Sequence, residues 1–146
     1  MKRIDAGYGH IVGLRDRTGN PNAGKPIVVH SYDYMVPRDA PARFLVAPMK
    51  GPWLFPVFEK CKISDLGLRQ QITACAFDQL AECLKKLETK LPQVHVVNSR
   101  DTLDPASADS TGNSGDWLNE IHPNAGGYAK IATKISRELV RRLPPP

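Results

Sequence analysis

Two short β-branched runs, set on either side of one long helical pattern, constrain this chain more than anything else in it. Ile27-Val28-Val29 follows Pro26 and ends in the polar stretch His30-Ser31-Tyr32, and "QVHVVNS" runs from Gln93 to Ser99. Continuous apolar runs of this length, bounded by turn residues, are expected of strands covered on both faces. Between them, Ser64-Asp65 is suited to cap a helix in which Ile72, Ala76, Leu80, Leu84, Leu87 and Leu91 recur every three to four positions and stop before Pro92. Ile4, Tyr8, Ile11 and Leu14 predict a helix before the first strand, halted by "RTGNPNAGKP". After the second strand a Ser-, Asp- and Gly-rich loop, Arg100 to Asp116, leads to a final helix with Tyr128, Ile131, Ile135 and Leu139 on one face. This order predicts βαβ packing, with parallel strands and a right-handed crossover. Two strands are too few for a parallel sheet, which needs several strands sharing a core. Further strands lie in the loops, or a partner completes the sheet, or these residues belong to a larger fold.

The 146 residues are about one domain, spanning 1–146. Apolar residues make up 41% and charged residues 24%, which excludes a disordered or fibrous class. The net charge of +5 is scattered except at Arg137, Arg141 and Arg142, a pattern that favours solubility over a nucleic-acid footprint. The same arginines make a small acidic ligand a third reading of the chain. Cys61, Cys75 and Cys83 form no C-x-x-C pair, so neither a disulfide framework nor a cysteine-based zinc site is expected. No apolar run is long enough for a membrane span and the start lacks a secretory signal, so a cytoplasmic location is expected. Prolines at 37, 41, 48, 52 and 56 forbid long elements between Tyr34 and Lys62. Phe44, Trp53, Phe55 and Phe58 make that stretch too apolar for a free loop, so it reads as a lid or binding surface.

Ligands of open α/β sheets bind at the carboxyl ends of the strands. His30, Ser31, Tyr32 and Asp33 leave the first strand there, and the loop after the second brings Asp109, Asp116, Asn119, Glu120 and His122 towards the same rim. Each has a plain structural reading beside the functional one. A His before Pro is commonly a polar loop residue, Asp116 can cap a turn, and Glu120 is expected in solvent. A strand-end His30 or Tyr32 can simply be satisfied by hydrogen bonds. Gly126-Gly127 is expected to allow a tight helix entrance. No phosphate-binding G-x-x-x-x-G-K-[ST] follows a strand.

The block "GDWLNEIHPNAGGYAKIA", Gly115 to Ala132, resembles the last conserved block of the SGNH, or GDSL-type, esterase and lipase family. "PIVVHSYDYMVPRDAP", "GPWLFPVFEK" and "VHVVNSRDTL" are similar to strands and a lid segment of a bacterial subgroup of these hydrolases. The resemblance, from about Lys25 to Leu143, implies a partial three-layer α/β/α fold of flavodoxin-like type that lacks the family's N-terminal strands. It implies ester hydrolysis by serine acyl transfer to water, on a small-molecule ester, without metal or cofactor, in a chain expected to be truncated and inactive alone. His122, before Pro123, matches the family's general base. The family's acid stands three residues earlier, where this chain has Asn119, and a D-W-x-N-E pattern favours Asp116 instead. His30, Tyr32 and Trp53 are the substrate-binding candidates. The family's Gly-Asp-Ser and G-x-N-D blocks are absent, and Ser31 lacks the strand-to-helix elbow of a nucleophile. The alternative is a non-catalytic remnant or assembly module whose sheet edge pairs with a second copy or with a missing N-terminal segment.

Overall fold

The computed structural model describes residues 2–44 and 47–142. In chain order they form α1 (Lys2–Arg15), β1 (Ile27–His30), β2 (Ala42–Phe44), β3 (Ala47–Lys50), α2 (Phe55–Lys60), α3 (Leu66–Lys85), α4 (Leu87–Lys90), β4 (Val94–Val97) and α5 (Ala125–Arg142). The result is a mixed α/β fold around a small parallel sheet flanked by helices. β1 and β4 pair in parallel, Ile27 beside Val94 and His30 beside Val97. The proline-rich stretch does hold further strands, but β2 and β3 form a separate antiparallel pair and leave the parallel sheet two strands wide. Leu45 and Val46 lie outside the described residues.

One face of the sheet carries the main core. Val94 and Val96 pack with Val12 of α1, Leu84 of α3 and Leu87 of α4, and Ile4, Tyr8, Ile27 and Val29 close around them. The buried stripe of α1 therefore runs Ile4, Tyr8, Val12 and Arg15, while Ile11 and Leu14, expected to face inward, are 46% and 50% exposed. Residues three and four apart share a helix face, and the arc shared by Ile4, Tyr8, Val12 and Arg15 leaves Ile11 and Leu14 to one side of it, towards solvent. Asp65 caps α3, its Oδ1 accepting the Leu68 N–H at 2.6 Å. The α3 pattern corrects in the same way: Ile72 is exposed, and Arg69 and Thr73 are buried in its place. Arg69 earns that position by lying 5.2 Å from the Phe55 ring and donating to the Ile63 carbonyl at 2.6 Å. α5 lies on the other side, where Arg142 donates to His95 Nδ1 at 2.9 Å.

The two edges of the sheet differ. Ile27 N–H donates to Gln93 and Ser31 N–H to Val97, so Val28 and His30 turn their backbone groups away from β4. Among the described residues nothing meets those outward N–H groups. On β4 the outward N–H of Val96 is taken by Glu88 Oε1 at 2.7 Å, which blocks the middle of that edge with a carboxylate from α4.

A second core sits beyond the strand ends, where Met35, Ala106 and Trp117 pack with Tyr32, Leu54, Phe77, Leu103 and Ile121. It is built from irregular backbone, so its order depends on polar ties. Asp33, 4% exposed, accepts from the N–H groups of Tyr34, Asp101, Thr102 and Leu103 at 2.7 to 2.9 Å. Arg38, 1% exposed, donates to the carbonyls of Ser110, Gly112 and Asn119. Buried backbone groups need partners, and here two charged side chains supply them for three loop segments.

Candidate functional site

Past the carboxyl end of β1 a cavity of about 400 Å³ opens between the loop after β4 and the start of α5. His30, Tyr32 and His122 line it, together with Trp117, Tyr128 and Ile131. Tyr128 was expected on the apolar core face of α5; it is 53% exposed at the cavity mouth, and Ile131, one turn on, carries the buried contact. Trp53 is not part of the lining. Its ring meets His122 edge to face, centroids 5.5 Å apart and planes at 77°, and it is 38% exposed.

Asn119, not Asp116, holds His122. Asn119 Oδ1 accepts from the backbone N–H of Ile121 at 3.0 Å and of His122 at 2.9 Å, and it lies 3.1 Å from His122 Nδ1. Two backbone donors identify that amide atom as oxygen, because an NH₂ group there would face N–H with N–H. Nδ1 must then carry the proton and donate, which leaves Nε2 of the neutral ring with a lone pair. Among the described residues Nε2 has no hydrogen-bond partner.

Asp116 is placed for another task. Its Oδ2 accepts the Asp104 N–H at 2.7 Å and pairs with Lys130 Nζ at 2.5 Å. The bond to Lys130, helped by that N–H, holds the Asp116 carboxyl below the usual aspartate range despite its burial. The Asp116 carbonyl accepts the Asn124 N–H at 2.8 Å and presses on Gly127, where a Cβ would lie 2.4 Å from it. The expected close packing of the glycine pair thus falls on Gly127. Asp116 ties the loop to α5 because Lys130, on the first turns of the helix, is a stronger partner for a carboxylate than a neutral imidazole.

Two further expectations change. Glu120 is fully buried rather than solvated, and its carboxylate accepts the N–H groups of Trp53, Leu54 and Phe55 at the start of α2. These donors have no partner within a helix, and a carboxylate facing a helix N-terminus satisfies them. Glu120 thereby fixes the segment that carries Trp53 to His122. Ser31 is 1% exposed; its Oγ accepts the Ser99 N–H at 2.9 Å and lies 3.2 Å from Asn98 Oδ1, so it faces the β4 side and not the cavity.

His30 Nδ1 lies 2.7 Å from the Ser31 carbonyl, so it too must donate from Nδ1 and carries its lone pair at Nε2. The Tyr32 hydroxyl donates to the Ile121 carbonyl and its ring stacks on Phe77, centroids 5.3 Å apart. Burial, with a smaller contribution from Tyr128, pushes the Tyr32 phenol up to about 12. Tyr32 stays neutral and ties β1 to the residue preceding His122. The sequence offers Asn119 as an alternative to Asp116, and it places Asp33 at the rim without signalling its structural role. Only the N-x-x-H spacing, suited to an Asx turn, signals the first, and nothing local signals the second.

Among the described residues no three His, Cys, Asp or Glu side chains gather as metal ligands would. Cys61, Cys75 and Cys83 are free thiols. No described helix is long and apolar enough to cross a membrane. Comparison with family models, with curated proteins and with solved structures finds no match to this chain.

Proposed function

We propose that the cavity beside His122 is part of an ester-hydrolase site of the SGNH type, in which His122 acts as general base. The observation that carries this reading is the fixed tautomer: Asn119 binds Nδ1–H, leaving the Nε2 lone pair unpartnered on a ring that lines an aromatic cavity. A base in that state takes a proton from a hydroxyl nucleophile and returns it to the leaving alcohol. An amide in the orienting position fixes the imidazole but stabilises its protonated form less than a carboxylate does. The Trp53 edge covers one side of the ring, and Tyr32, Trp117 and Ile131 supply an apolar wall for an acyl or aryl group. No described serine bonds to His122, and this reading requires a hydroxyl nucleophile to be brought to Nε2.

The test is hydrolysis of a short-chain aryl ester by the protein that contains these residues. His122→Ala is expected to lower kcat by about three orders of magnitude or more, and Asn119→Ala by about tenfold or more. Equal turnover in His122→Ala removes the proposal. A fluorophosphonate probe that labels a serine of this chain, and loses that labelling in His122→Ala, would identify the nucleophile.

One observation favours a second reading, an assembly module. The outward backbone groups of Val28 and His30 leave β1 with an open edge, while Glu88 takes the central outward N–H of the other. A second copy paired through β1 would extend the sheet to four strands. Light scattering decides it: a stable monomer at high concentration counts against this reading.

A further inference from the structure

Behind α5, away from the His122 cavity, a groove of about 420 Å³ runs between the outer edge of β4 and the last turns of α5, with Lys85 of α3 at one side. Lys134, Arg137, Arg141 and Arg142 project into it from α5. Glu138, the carboxylate in its wall, is committed to Arg141, at 2.6 Å, and to Arg142. Glu88 pairs with Lys85 and lies 3.4 Å from Arg142. Five cations against two carboxylates leave a surplus of three positive charges at one concave surface.

The surplus has a definite location. Lys134 Nζ donates to the Thr102 hydroxyl at 2.9 Å and the Arg100 carbonyl at 3.3 Å, neither of them charged, and no described carboxylate pairs with Arg137. Basic residues in a last turn offset the helix dipole, which accounts for Arg141 and Arg142. It does not account for Lys134, two turns earlier, or for Lys85 on another helix. The alternation along β4 also turns the Asn98 N–H outward to this side, where no described group accepts it. Guanidinium forks, ammonium groups and a backbone N–H facing one volume are the donors that a multiply charged oxyanion uses.

We propose that this groove is a second binding site, specific for a phosphate-bearing small molecule with at least two negative charges. A monocarboxylate would leave most of the surplus uncompensated, whereas a diphosphate matches it. The volume leaves room for an organic group beside the phosphates.

Inorganic pyrophosphate and ADP are the probes, titrated into the whole chain and followed by backbone amide shifts. Saturable one-to-one binding at sub-millimolar concentration is expected, with shifts at residues 96–98 and 134–142 and affinity falling as salt is raised. Arg137→Gln, at an exposed position, is expected to weaken binding about tenfold, while Arg17→Gln, the same change of net charge in the turn after α1, changes it less than about twofold. Equal weakening by both variants would reduce the effect to overall charge and overturn the site, as would failure of both probes to saturate. Vesicles of phosphatidylcholine with phosphatidic acid form the last arm. If they bind in an Arg137-dependent way while the soluble probes do not, the surface is a membrane contact and the proposal fails. None of these variants touches His122, so failure here leaves the ester-hydrolase reading standing.

Discussion

Replacing Glu120 is expected to unfold the segment that covers His122 before it unfolds anything else. The carboxylate is fully buried and receives three backbone N–H groups, those of Trp53, Leu54 and Phe55. Hydrogen bonds to a charged acceptor contribute about 1.5–3 kcal/mol each, and water recovers part of that where the donors are near the surface. Trp53 is partly exposed, so Glu120→Ala is worked out at a loss of about 3–5 kcal/mol rather than the full sum. Glu120→Gln keeps one acceptor oxygen and turns an NH₂ group towards the remaining N–H, a loss of about 2 kcal/mol. Against the usual total of about 5–15 kcal/mol, the alanine variant should show a clearly lower urea midpoint by circular dichroism. The quantity to compare is the midpoint at unchanged slope. Tryptophan fluorescence adds a local signal, because Trp53 would leave the His122 edge while Trp117 stays in its core. A loss below about 1 kcal/mol in Glu120→Ala would refute the reasoning, since it would mean that water serves these donors as well as the carboxylate does.

Nitrogen-15 spectra of neutral His122 should show the proton on Nδ1, and Asn119→Ala should move the ring towards the Nε2–H form; an unchanged tautomer would disconnect Asn119 from the ring. Glu138 has its carboxyl lowered from 4.5 to about 2, first by Arg141 and then by Arg142. A depressed carboxylate stabilises the fold above its unfolded pKa, so its contribution is complete above about 4.5 and is lost as pH falls towards about 2. Stability measured across that window should flatten in Glu138→Gln, and an identical profile would argue against the pairing. Gly127→Ala should cost about 1–3 kcal/mol in a thermal melt, because its Cβ would meet the Asp116 carbonyl at 2.4 Å. Gly126→Ala, where the nearest atom is the Asn124 side chain at 3.3 Å, should be tolerated.

The periodic parts of the fold were legible and the polar scaffold was not. Ile27–Val29 and Val94–Val97 announce strands because a buried strand requires an unbroken apolar run, and α3 announces itself by its spacing and the Asp65 cap. The face of α1 is not legible in the sequence, because Ile11 and Leu14 fit the hydrophobic spacing while Val12 and Arg15 take the buried positions. Arg15 is buried while donating to the carbonyls of Lys25 and Pro92, a pairing across 77 residues that no local rule reveals. The site shows the same division. His122, His30 and Tyr32 could be placed at one rim from strand direction alone, and they do share a cavity. The partner of His122 could not, since Asp116 and Asn119 are both in reach by sequence and only the presence of Lys130 on α5 decides which is taken up elsewhere. Glu120 was misplaced for a related reason: its partners lie 65 to 67 residues away, in a helix start too short and proline-marked to be anticipated.

The unequal sheet edges set a limit on how this protein can self-associate. A filament needs two different surfaces that fit each other, so that every added copy presents a fresh one. With the Val96 N–H taken by Glu88, β4 is blocked at its centre, whereas β1 is free to meet another β1. Such a contact uses up the open surface on both copies at once. Association through the β1 edge would therefore stop at two copies, and Glu88 at the other edge disfavours continuing it across β4.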